Sequence, residues 1–73
     1  MDTIKGFWRH TATGDIYAVE STALGEVIGG VGPLKANELI DLNDYDYKQD
    51  INKFLQEAIA RNRLRKYTPR YKA

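Results

Sequence analysis

Apolar residues recur at helical spacing in only one part of this chain. In the stretch YKQDINKFLQEAIARNRL, Ile51, Phe54, Leu55, Ala58 and Ile59 fall at i, i+3, i+4, i+7 and i+8. That is the apolar stripe of an amphipathic α-helix. Lys48, Lys53, Gln56, Glu57 and Arg61 fall on the other side. Asp46 precedes the stripe as an N-cap, with Gln49 three residues on as its capping-box partner. The spacing predicts a helix over 47–64.

Upstream the period changes to two. Residues 4–10 (IKGFWRH), 16–20 (IYAVE) and 26–31 (EVIGGV) read as strands, separated by glycine-containing breaks at 11–14 and 21–25 and stopped by Gly32-Pro33. Short connections make antiparallel hairpins the simplest arrangement. Pairing His10 with Asp15 sets Trp8 opposite Tyr17 and Phe7 opposite Ala18. A plain second hairpin pairs Val19 with Val27 and Tyr17 with Gly29. One face then carries Trp8, Tyr17, Val19, Val27 and Val31, and the other carries Phe7, Ile16, Ala18 and Ile28. A one-residue slip at either turn exchanges these sets. Both faces are partly apolar in either register, and one helix covers only one of them.

Residues 34–46 (LKANELIDLNDYD) set Leu34, Leu39, Ile40 and Leu42 among acids, and are the expected cover for the second face. Their short pattern fits a helical turn or an extended segment equally. The expected fold is α+β: a three-stranded antiparallel meander packed by one C-terminal α-helix, a single domain over 1–64. A small barrel of the SH3 sort is the alternative if 34–42 adds a strand. Residues 65–73 (RKYTPRYKA) lose the pattern, and Pro69 disfavours helix at Thr68. They are expected to form a basic flexible tail.

Composition narrows the picture. At 73 residues the chain is near the size where burial only just offsets the cost of ordering. It has no cysteine, so neither a disulfide nor a thiolate metal site supports it, and a reducing, cytoplasmic setting is expected. No stretch approaches the ~20 apolar residues of a membrane span. The net charge of +1 conceals a division: the last thirteen residues hold six of the eleven Lys and Arg and none of the ten acids, giving +6 against −5 for the rest.

The candidate chemistry is thin. Gly25, Gly29, Gly30 and Gly32 do not form a phosphate loop, because Pro33 and Leu34 stand where that loop needs Lys and Ser or Thr. Asp41, Asp44, Asp46 and Asp50 miss the calcium-loop spacing: counted from Asp44, position six is Gln49 and position twelve is Leu55. They read instead as a solvated rim at a helix N-terminus. His10 is the only histidine. Without a second histidine or a cysteine it heads no common transition-metal site. No metal and no cofactor is expected.

Three functions remain open. The favoured one is a non-catalytic protein–protein interaction module or small regulatory subunit. Its partner is another protein or a second copy of the chain, met through Trp8, Tyr17 and Val19 on the spare sheet face. The second is a nucleic-acid-binding protein using the basic end, Arg61, Arg63, Arg65, Lys66, Tyr67, Arg70, Tyr71 and Lys72. Cations there would meet phosphates and rings would stack on bases. The same residues also read as a solubilising end or a dock for an acidic partner. An enzyme would have to draw on His10, Asp15, Glu20 and the Asp41–Asp50 group, and no spacing singles these out. The expectation is that the chain is not an enzyme.

Overall fold

The computed structural model describes residues 3–69. Strands β1 (Thr3–His10), β2 (Ile16–Thr22) and β3 (Val27–Leu34) are followed by two 3₁₀ turns (Ala36–Glu38 and Leu42–Asp44). Helix α1 (Asn52–Ala60) and strand β4 (Leu64–Tyr67) complete the fold. All strand pairs are antiparallel, in the order β3-β2-β1-β4. The class is therefore α+β as expected, with four strands in the sheet rather than three.

The first hairpin has the predicted register. Trp8 lies opposite Tyr17 and Phe7 opposite Ala18, and the His10 N–H donates to the Asp15 carbonyl (2.7 Å). The second hairpin departs from the prediction. β2 runs on to Thr22, and Ser21, not Val19, pairs with Val27. A bulge between Glu20 and Ser21 then sets Val19 opposite Gly30 and Ala18 opposite Val31. An inserted residue in one strand reverses the facing of everything beyond it. Val31 therefore falls on the Ala18 face, opposite to the prediction.

Helix α1 covers the other face. Tyr17, Val19, Val27, Leu55, Ala58 and Leu64 form the buried core, with Trp8, Ile51 and Ile59 packed against it. Phe54, placed on the buried stripe by its spacing, keeps 44% of its surface exposed. Its ring lies against Tyr17 (5.6 Å between centroids) and His10.

The helix is shorter than predicted at both ends. At its start Ile51 is the N-cap and makes no side-chain cap bond. Tyr47 and Lys48 are instead drawn to the edge of β3, where Lys48 and Gly30 exchange backbone hydrogen bonds (2.8 and 3.1 Å). At its end Asn62 takes a left-handed φ of 59°. The Asn62 N–H donates to Ile59 (3.0 Å) and the Arg63 N–H to Ala58 (2.7 Å). This is a Schellman cap, and it turns the chain out of the helix.

The chain then enters β4, where the sequence predicted the end of the helix and the start of a loose tail. Leu64 is buried, and His10, Arg9, Trp8 and Phe7 pair in turn with Leu64, Arg65, Lys66 and Tyr67. Extending the register sets Pro69 opposite Lys5, and proline brings no N–H to a ladder.

The connecting segment closes the Phe7/Ala18 face, as expected of it. Two tyrosines help hold it there. Phe7 meets the edge of Tyr45 (5.9 Å, 87°). The Tyr45 hydroxyl donates to the Glu38 carbonyl (2.8 Å) and accepts from the Ile40 N–H (2.9 Å). The Tyr47 hydroxyl donates to the Leu42 carbonyl (2.6 Å). Ile40 itself stays 45% exposed.

Candidate functional site

With α1 on one face of the sheet and the connecting segment on the other, a cluster of rings and cations stays exposed on the β1–β4 side. On the α1 face of that side, Lys66 Nζ lies 5.2 Å from the centroid of the half-buried Trp8 ring. A cation over an indole is worth about 0.5–1 kcal/mol at an exposed site. On the opposite face Arg9 and Arg65 are direct cross-strand neighbours. Where β1 ends, the His10 ring stacks on Phe54 (5.9 Å, 9°). Those two rings line a cleft of about 350 Å³ together with Glu57, Arg61 and Arg63.

The cations on this side form no direct ion pair among the described residues. Among the described residues the single ion pair is Lys48–Asp46 (3.5 Å), elsewhere on the surface. Arg9, Arg61, Arg63, Arg65 and Lys66 therefore have no carboxylate within ion-pair range among those residues. The acids Glu38, Asp41, Asp44 and Asp46 lie in the segment between β3 and α1. The separation along the sequence is not carried fully into space, since Asp41 lines a cleft with Lys66 and Tyr67, and Glu57 lines the other cleft with Arg61 and Arg63. A second cleft, of about 580 Å³, opens between the start of the second 3₁₀ turn and the end of β4, against Phe7, Leu42, Tyr67 and Pro69.

The predicted contact residues are split by the fold. Tyr17 (7% exposed) and Val19 (1%) are core residues beneath α1, so in this fold neither offers a side chain to a partner. The prediction left the Trp8/Tyr17/Val19 face spare, and that is the face the helix takes. Only Trp8 keeps an open side. Of the basic group, Arg61 and Arg63 flank the turn into β4, and Arg65, Lys66 and Tyr67 lie within it. Arg70, Tyr71 and Lys72 fall outside the described residues. Arg9, His10 and Phe54 join the strip without having been singled out for it. Arg9 was findable only by recognising β4, because its place beside Arg65 is a matter of register.

The residues an enzyme would draw on are dispersed into local roles. His10 Nδ1 accepts from the Ala12 N–H (3.2 Å). Glu20 accepts from the Thr3 hydroxyl (2.8 Å), and Asp41 caps the Asn43 N–H (2.8 Å). Among the described residues no three His, Cys, Asp or Glu side chains group to hold a metal ion. No helix there is long and apolar enough to cross a membrane.

Two phenols are perturbed. Burial, and secondarily Asp15, raises the Tyr17 pKa. Tyr47 is pushed up to about 12, first by burial and then by Glu20, Tyr45 and Asp41. Both groups are structural. No protein-family model, curated protein or solved structure shows a significant match to this chain.

Proposed function

We propose that this chain is a non-catalytic protein–protein interaction module or small regulatory subunit, and that it meets its partner along the β1–β4 side. The observation that supports this is the concentration there of cations free of ion pairs among the described residues, around the half-exposed ring of Trp8: Arg9, Arg61, Arg63, Arg65 and Lys66. Both faces of the sheet are already occupied by the chain itself. The partner surface is accordingly acidic. A cytoplasmic setting goes with this reading and rests on the cysteine-free sequence.

A second reading, nucleic-acid binding, draws on the same strip. An aromatic ring beside several cations is the chemistry that single strands use. It predicts affinity falling steeply with salt, as neutralised phosphates release counterions.

The test is recovery of a stoichiometric protein partner by the intact chain. That partner should be lost with Arg65→Glu/Lys66→Glu and kept with Lys53→Glu on the outer side of α1. If no partner is recovered and light scattering gives a monomer, the interaction reading fails. If a single-stranded oligonucleotide then binds with a steep salt dependence, the second reading replaces it.

A further inference from the structure

The geometry points to the outer edge of β4 as a strand-addition site for an acidic, extended segment of a partner protein. This rests on the proposal that the β1–β4 side is the binding surface, and it names the manner of binding and the chemistry of the occupant.

Two hydrogen bonds fix which backbone groups face outward. The His10 N–H donates to Asp15 (2.7 Å), so the even-numbered residues of β1 bond toward β2. The Thr11 N–H donates to Arg63 (2.8 Å), so the odd-numbered ones bond toward β4. Antiparallel ladders alternate residue by residue. Arg63, Arg65 and Tyr67 therefore turn their backbone groups inward to β1. Leu64 and Lys66 turn theirs outward, and among the described residues the sheet holds no further strand on that side.

The opposite edge of the sheet is not equivalent. There Lys48 exchanges backbone hydrogen bonds with Gly30, which occupies the middle of β3. β4 is thus the accessible edge among the described residues, and its main-chain groups match the augmentation mode of peptide recognition.

The side chains select the occupant. Lys66 lies on the α1 face of β4 and Arg65 on the other, and both are exposed. A strand laid beside β4 meets a cation on each of its own faces, so carboxylates at neighbouring positions find one partner apiece. Lysine on an edge strand normally discourages indiscriminate pairing. Here it leaves the edge open to segments of opposite charge. A second copy of this chain is disfavoured, because β4 paired with β4 sets Arg65 and Lys66 against their own kind. The chain's acid-rich segment is held over the Phe7 face by Tyr45 and Tyr47.

The experiment is amide hydrogen exchange on the intact, isotope-labelled protein. The probe is a short extended peptide with adjacent Asp-Glu pairs flanked by Val and Thr, so that acids fall on both of its faces; the control carries Lys at the acidic positions. In the free protein the Arg65 and Tyr67 amides exchange slowly and those of Leu64 and Lys66 fast. Saturating acidic peptide should slow Leu64 and Lys66 specifically. Arg65→Gln/Lys66→Gln, checked for an unchanged melting temperature, should weaken binding several-fold, and Arg65→Glu/Lys66→Glu by about tenfold.

Strand addition is overturned if Leu64 and Lys66 stay fast under saturating peptide, or if the Lys control protects them equally. Protection that rises with protein concentration alone overturns the acidic occupant in favour of a second copy. Displacement of the peptide by a single-stranded oligonucleotide overturns it in favour of nucleic acid. If the peptide fails while charge reversal still abolishes capture of the native partner, the binding side stands and only strand addition falls.

Discussion

Gly30 and Leu55 meet where β3 passes under α1, with no room between them for a methyl group. A Cβ built on Gly30 would overlap Leu55 Cδ1 and crowd the Ala18 carbonyl (3.3 Å). Leu55 is fully buried and has nowhere to retreat. Gly30→Ala should therefore destabilise the fold by about 1–3 kcal/mol, the usual cost of overpacking. Leu55→Ala alone should cost about 2–5 kcal/mol through its cavity. The two changes share one space, so the double variant should cost less than their sum. Urea denaturation of all four proteins gives the cycle. Strict additivity would show that the two residues do not constrain each other.

Asn62 carries the left-handed residue of the helix cap. Asn62→Gly should leave stability nearly unchanged or raise it slightly, because glycine takes that conformation without a Cβ penalty. Asn62→Val should cost about 1–2 kcal/mol. Thermal melts of the pair give the comparison. An equal loss for both would mean that the amide side chain matters more than the backbone angle.

The Tyr47 phenol gives the fold an alkaline limit. Its folded pKa of about 12 lies above the ordinary value of 10.0. Between those values the unfolded chain loses the proton first, so it binds fewer protons than the folded chain and stability falls as pH rises. The contribution is complete below about pH 10 and is lost progressively toward pH 12. Tyr17 acts in the same direction. Tyr47→Phe should cost about 0.5–1.5 kcal/mol near neutrality, for the lost bond to Leu42. It should also flatten the decline in urea midpoint between about pH 10 and about pH 12. A decline as steep as that of the wild type would remove Tyr47 as its source.

β4 is part of the core and not an appendage. Leu64 is 5% exposed, packed with Leu55 and Ala58. Leu64→Ala should cost about 2–5 kcal/mol, and removal of the chain from Leu64 onward should abolish cooperative unfolding. Calorimetry reads both. A truncated protein that melts like the intact one would contradict the role of β4.

The elements written by local rules were legible in the sequence. Alternation and a short turn set the β1–β2 register correctly, and the i, i+3, i+4 stripe found α1. What escaped was decided at a distance. The extra residue of the bulge is Ile28 in β3, next to Gly29; glycine in a strand often marks a bulge, but it does not fix the register, and the shift reversed Val31. Tyr47 and Lys48 fit a helical pattern, but the bare Gly30 backbone took them as an edge partner. LRKY is too short for any period to show, and only the buried Leu64 and the waiting edge of β1 make it a strand. Asn62 is a readable signal, since asparagine just beyond a helix often marks its end. The candidate site inherited these misses: Tyr17 and Val19 went under the helix, and the cations of the expected tail became an ordered edge.

The partnership of β1 with β4 has a mechanical side. Thr3 begins β1 and Tyr67 ends β4, and because the strands run in opposite directions these two positions lie toward the same end of the sheet. Tension drawn between them loads the rung at Phe7 and Tyr67 alone, and each later rung only after the one before has given way. The ladder peels open like a zipper and does not resist as a unit in shear. Force drawn through the end of β4 would therefore open this ladder one rung at a time, however tightly the interior is closed.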